Sequence, residues 1–181
     1  MHRLLLLALL LLPLGVQGGD HGDTWLLVET GERRIQVYQG DTPVLEVSQI
    51  ALGRGGASVD RLRGDRRTPK GEFRIAWVNK DSQFHIFLGL DYPTFQHARR
   101  AYAAGRISLD EFLAVTDAVR ERRLPPQRTQ LGGHIGLHGL GSADPDIHRI
   151  ADWTQGCIAM TDDEIEQLAR LVDVGTRVVV R

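Results

Sequence analysis

The chain of 181 residues contains one cysteine, Cys157. Its N-terminus has the pattern of an export signal, and exported domains are commonly held together by disulfide bridges. A lone cysteine cannot form such a bridge within the chain, so the fold must be held by burial of apolar side chains. Cys157 is then either a small buried hydrophobe or a thiolate nucleophile. It sits in Thr154-Gln155-Gly156-Cys157-Ile158-Ala159-Met160, with His134-Ile135-Gly136-Leu137-His138-Gly139 upstream. The glycine before it and the two histidines favour the nucleophile.

The export pattern is Met1-His2-Arg3 followed by a leucine-rich run to Leu12, with Val16-Gln17-Gly18 as the cleavage tripeptide. A short basic start, an apolar run of roughly ten residues and a small-residue exit describe a secretory signal over residues 1–18. The run falls short of the ~20 apolar residues that span a bilayer, and Pro13 interrupts it. No stable membrane insertion is expected after cleavage. About 160 residues remain, enough for one domain with its own core. The 22 basic and 23 acidic side chains give a net charge of −1, which argues against nucleic acid as a partner. Arg54, Arg61, Arg63, Arg66, Arg67 and Lys70 nevertheless form a local basic cluster. It is either a solvated loop or a contact for an anionic substrate.

The first part of the domain, Thr24 to Val78, has the pattern of strands. Residues 25–29 and 34–38 flank a Thr30-Gly31-Glu32 turn, and Ile35 and Val37 alternate with polar neighbours. Residues 44–48 and 73–78 make two further strands, and Thr68-Pro69-Lys70-Gly71 is a turn fixed by its proline and glycine. Residues 94–105 and 108–123 change to helical periodicity, with Ser108 and Glu111 at capping-box spacing. They constitute a helical insertion, over about residues 92–131, in a β domain. In the third part a strand is expected from His134 to Leu140, a helix behind the Thr161/Glu164 capping box, and a terminal strand over residues 177–180. Cys157 then precedes a helix start, where the macrodipole favours a thiolate.

A cysteine nucleophile needs a base, a group that orients the base, and donors for an oxyanion. His138 is the candidate base. In an extended segment His134 shares its face, and Gly139 lets the chain turn beside it. The N–H groups of Gly156 and Cys157 are the candidate oxyanion donors. No Asp stands out as a third member, which leaves a backbone carbonyl near Gly139 to orient His138. Asp152 and Trp153 are candidates to line a groove, while His85, His97 and His148 show no pattern. A zinc site built on His134 and His138 with Cys157 or Asp144 is the rival chemistry, but the glycines around the pair disfavour the helix that two-His metal motifs need. No cofactor or metal is expected.

At these residues the sequence resembles the L,D-transpeptidase catalytic domain, or YkuD, family. The matching motifs are His138-Gly139, then Thr154-Gln155-Gly156-Cys157, with Thr68-Pro69-Lys70-Gly71-Glu72-Phe73 upstream and Gly175-Thr176-Arg177-Val178 at the end. The resemblance covers residues 24–181 apart from the insertion. It implies a mostly β fold with short helices (α+β), a β-sandwich or β-barrel domain carrying the insertion. It also implies a Cys157–His138 pair acting on peptidoglycan stem peptides in the periplasm or cell envelope. The acyl group would pass through a thioester to an amine of another stem peptide or of an envelope lipoprotein, or to water. Under this resemblance His134, Trp153, Thr154, Gln155 and Lys70 are expected to contact substrate. The chain departs from the family at Gln155, where many members have His, and at Ala159, where many have Arg.

Overall fold

The computed structural model describes residues 24–181, and the expected export segment lies outside the described residues. Strands β1 (Thr24–Glu29), β2 (Arg34–Gln39) and β3 (Thr42–Ser48) form a meander. Alternation in β2 buries Ile35 and Val37 while their neighbours face outward. Two-residue strands β4 (Ala57–Ser58) and β5 (Thr68–Pro69) pair with each other apart from the main sheet. Strand β6 (Gly71–Ser82) runs into β7 (His85–Leu90), and β8 (Gly136–His138), β9 (Ile158–Ala159) and β10 (Arg177–Val180) complete the set.

The main sheet has the order β3-β2-β1-β10-β6-β7-β8-β9. The C-terminal strand β10 lies in the middle, parallel to β1 and antiparallel to β6. The chain leaving β3 comes round to the far edge, where Ala51 bridges Ala159 of β9 through N–H···O bonds of 2.9 and 2.8 Å. The sheet thus meets itself beside Cys157. Inside lie Leu26, Val28, Phe73, Ile75, Leu88, Ile158 and Val178, all nearly inaccessible. Burial of this apolar surface, with no cross-link, holds the domain together.

Among the described residues four helices decorate the sheet. Helices α1 (Phe95–Ala103) and α2 (Leu109–Arg120) start at the expected places, and both halves of the Ser108/Glu111 capping box are formed. They lie in the connection between β7 and the antiparallel β8. The ends of that connection are tied, since the Tyr92 hydroxyl donates to Leu131 O at 3.0 Å. Helix α3 (Pro145–Ile150), capped by Asp144, was not anticipated. Helix α4 (Asp162–Ala169) begins with the complete Thr161/Glu164 capping box and packs on β7 and β8.

The strand expected from His134 to Leu140 is only three residues long. His134 has φ +52°, so the extended chain starts after it, and the simple alternation that would put both imidazoles on one strand face does not apply. Strand β7 carried no alternating signal because its second half is buried on both sides.

Candidate active site

The turn that leads into the nucleophile is built by Thr154. Its hydroxyl accepts the Gly156 N–H at 3.0 Å and donates to Cys157 O at 2.7 Å, closing a tight turn. Gly156 has φ +127°, and a Cβ there would lie 2.7 Å from Arg67 O, so both conformation and space demand glycine. Beyond the turn, β9 is held on both sides. Parallel β8 pairs with it on one side, setting His138 opposite Ala159, and the Ala51 bridge holds it on the other. With the side-chain period of two, Cys157 and Ala159 share a face, and that face is also His138's.

Cys157 and His138 line one cavity of about 800 Å³. The basic loop supports it from behind. Arg61 is buried, and its guanidinium donates to Arg67 O at 2.8 Å and Leu131 O at 2.6 Å and covers the Tyr92 ring. The cluster read as solvated or substrate-binding thus contains a structural brace at its centre. Lys70 is not in the cavity. It lines a separate one beside α1, where its carbonyl meets His97 Nε2 at 3.0 Å.

His138 is 2 % exposed. Its Nδ1–H donates to Gly139 O at 2.7 Å, the carbonyl orientation expected from the sequence, and this leaves Nε2 as the acceptor on the other side of the ring. Phe84, Phe87 and Trp153 surround the ring, with centroids at 4.3, 6.1 and 5.8 Å. Burial lowers its pKa, against a smaller opposing effect of the Gly139 carbonyl. Burial also pushes the Cys157 thiol up to about 11, with the Gly136 N–H and the Arg61 charge pulling less strongly the other way. The helix dipole was expected to favour a thiolate, whereas burial acts the other way on the thiol and disfavours the charged form of both groups. The thiol donates to His134 O at 3.4 Å.

The remaining sequence-predicted residues divide. His134, Trp153, Thr154 and Gln155 line the cavity, with His134 and Gln155 exposed at its rim. The Thr154 hydroxyl is consumed inside the turn, and it also occupies the Gly156 N–H that was a candidate oxyanion donor. Asp152 points elsewhere, accepting Leu52 N–H at 2.7 Å and pairing with Arg33. His148 is buried and accepts the Trp153 indole N–H at 3.3 Å. Asp144, the alternative to Cys157 in the rival zinc site, caps α3 instead. The far wall, Trp77, Asn79, Asp81, Ser82, Gln83, Phe84 and Phe87, comes from the β6–β7 hairpin and was missed entirely. One sequence signal for it existed: Gly89, paired with Trp77, makes room for that indole.

The family pattern for the L,D-transpeptidase catalytic domain, YkuD, matches residues 23–180. The chain belongs to this family. Its fold resembles the helical cell shape determining protein Pgp2 from Campylobacter jejuni, at 18 % identity and TM-score 0.58, covering 87 % of this chain and 47 % of that one. Bd1075 from Bdellovibrio bacteriovorus follows at 17 % and 0.56, covering 88 % and 48 %. A cysteine-to-serine mutant of the Enterococcus faecium L,D-transpeptidase gives 15 % and 0.52, covering 88 % and 50 %. The L,D-transpeptidase-like chain thus spans about half the length of these structures. No curated protein sequence matches it. The matched pattern is that of a catalytic domain.

Proposed function

We propose that this L,D-transpeptidase family member is an envelope enzyme that transfers the acyl group of a peptidoglycan tetrapeptide through a Cys157 thioester. The observation that carries the reading is the His138 imidazole, anchored at Nδ1 by the Gly139 carbonyl beside a cavity it shares with the Cys157 thiol. The thiol turns from His134 O toward Nε2 and gives up its proton as Sγ attacks the carbonyl of the diamino acid at position three. The Cys157 N–H is the oxyanion donor, because Thr154 holds the Gly156 N–H. The imidazolium then protonates the departing D-Ala amine, and the C–N bond breaks to leave the thioester. An amine attacks the thioester, loses a proton to His138 and releases the thiol.

Burial disfavours the charged form of both groups, which favours proton transfer that accompanies attack over transfer that precedes it. The acceptor amine belongs to a second stem peptide or to a lysine of an envelope lipoprotein. A hydrolytic reading is favoured by the exposed His134 and Gln155 at the rim, which give water access to the thioester. The first 18 residues would direct the enzyme to the periplasm.

The test is intact-protein mass after incubation with a purified disaccharide-tetrapeptide, with analysis of the peptide products and Cys157→Ala as control. A Cys157-dependent acyl adduct with a cross-linked dimer is expected. An adduct with tripeptide as sole product assigns hydrolysis. Full turnover by Cys157→Ala would sink both readings.

A further inference from the structure

Among the described residues the base of the pair has no acidic partner in direct contact, yet a carboxylate stands one peptide away. Strand β8 ends at His138, and the Gly139 N–H still reaches back to Ile86 O at 3.2 Å. The next peptide unit, joining Gly139 to Leu140, lies beyond the ladder. Its carbonyl accepts the His138 Nδ1–H at 2.7 Å, and its N–H donates to Asp162 Oδ1 at 2.7 Å. A peptide unit is planar and trans, so its C=O and N–H point in opposite directions. Holding the N–H therefore aims the carbonyl. The same Asp162 oxygen accepts the Gly141 N–H at 3.0 Å, which clamps the loop at a second point. The carboxylate sits so close that a Cβ on Gly139 would lie 2.4 Å from it. Asp162 is itself fixed on the first turn of α4, behind the complete Thr161/Glu164 capping box.

We propose that Asp162 is a positioning residue that sets the His138 imidazole through the Gly139–Leu140 peptide unit. It does two things at one remove. It fixes the carbonyl that selects the Nδ1–H tautomer, and its charge polarises the peptide, which strengthens the carbonyl as an acceptor and makes Nε2 the better base. The arrangement is an acid–base–nucleophile chain with a peptide bond inserted between acid and base. Its catalytic consequence rests on the acyl-transfer reading above, whereas its effect on the imidazole does not.

The experiment therefore reads the imidazole and the turnover separately. Protein labelled with 15N-histidine is compared as wild type, Asp162→Ala, Asp162→Asn and Asp162→Ser, with His138→Gln to assign the resonances. Asn keeps an acceptor oxygen in place without the charge. Ser is too short to reach both N–H groups, and it replaces Ala should that variant not fold. In the wild type, His138 is expected almost wholly as the Nδ1–H tautomer. In Asp162→Ala or Asp162→Ser both tautomers appear, Nδ1–H exchange with water quickens at least about tenfold, and kcat falls about 10–100-fold with KM for the tetrapeptide within about twofold. Asp162→Asn keeps the tautomer and recovers most of kcat, since orientation survives. An unchanged tautomer and exchange rate in folded Asp162→Ala or Asp162→Ser overturns the proposal, whatever the activity. Altered imidazole signals in a protein that turns over no tetrapeptide leave the positioning intact and remove the transpeptidase reading instead.

Discussion

The resting state of Cys157 sets a sharp expectation for its chemistry with small electrophiles. The thiol is pushed up to about 11 by burial, against an ordinary value of 9.0. At pH 7 the thiolate fraction is then about one in ten thousand, where an ordinary thiol has about one in a hundred. A more basic thiolate is also a stronger nucleophile, which returns roughly tenfold of that hundredfold deficit. Native protein should thus react with iodoacetamide at pH 7 about tenfold more slowly than the same chain in denaturant. The diagnostic feature is the shape of the profile. The logarithm of the rate should climb by about one per pH unit from pH 7 to 10 with no plateau. The assay is intact mass after timed iodoacetamide pulses, with circular dichroism to establish that the protein is folded at each pH.

His138→Gln provides the control. A neutral imidazole contributes no charge to hold a thiolate, so its removal should leave the alkylation profile in place while abolishing acyl transfer. A wild-type plateau below pH 8 that vanishes in His138→Gln would refute the reasoning, because it would mean a resting thiolate–imidazolium pair. The neutral pair also predicts activity on the acid side. Burial lowers His138 below the usual imidazole value, so the base stays unprotonated at a pH where an exposed histidine would be charged.

Two further outcomes follow from burial elsewhere. His97, whose ring stacks on Phe73 beneath the insertion, is lowered to about 4 from 6.5. The denatured chain takes up its proton below about 6.5 while the native ring refuses it until about 4, so this stability is present above 6.5 and is lost as pH falls, by about 3 kcal/mol in full. Urea titrations from pH 7 to 4 should show that loss shrinking by this amount in His97→Gln, and equal slopes in the two proteins would contradict it. Gly156→Ala combines a left-handed φ with a Cβ placed only 2.7 Å from Arg67 O and should cost about 3 kcal/mol. A change under about 1 kcal/mol in urea denaturation would show that the turn gives way cheaply.

What the sequence made legible was local. Strands β1 to β3 and β10 announced themselves by apolar runs or alternation between turn residues, and α2 and α4 by capping boxes that form as written. The Cys157 and His138 motifs were visible because glycines flank chemically distinctive side chains. Long-range structure was not. Nothing local in Arg61 distinguishes a guanidinium buried on two carbonyls from one in solvent, and Lys70 looks the same whether it faces the cavity or α1. The β6–β7 wall escaped because its overhang, Asn79 to Gln83, is polar and resembles an ordinary loop. Asp162 was legible only as the first residue of a helix. Its contact with Leu140 spans 22 positions and depends on how α4 docks against β8.

The spacing of the motifs along the chain hides that they form one scaffold. Thr68, fully buried, accepts the Gly53 N–H at 2.9 Å on its hydroxyl. Gly53 in turn bridges Thr154, and a Cβ on it would lie 2.9 Å from Gly156 Cα. The Thr-Pro-x-Gly segment therefore buttresses the Gly53 segment that bridges the nucleophile turn, and it does not line the cavity itself. Its neighbours Arg66 and Arg67 present backbone carbonyls to Gly53 and Gly156, so the basic loop acts on the site through its main chain. On the opposite side Asp162 braces the loop behind the base. Nucleophile and base are each held from behind by backbone contacts, and their side chains share one open cavity. Such a frame leaves the thiol as the part free to move, because the hydrogen bond it donates is a 3.4 Å contact to His134 O. Replacing that weak contact by one to Nε2 is the step that the proposed chemistry requires of a site whose backbone is already held in place.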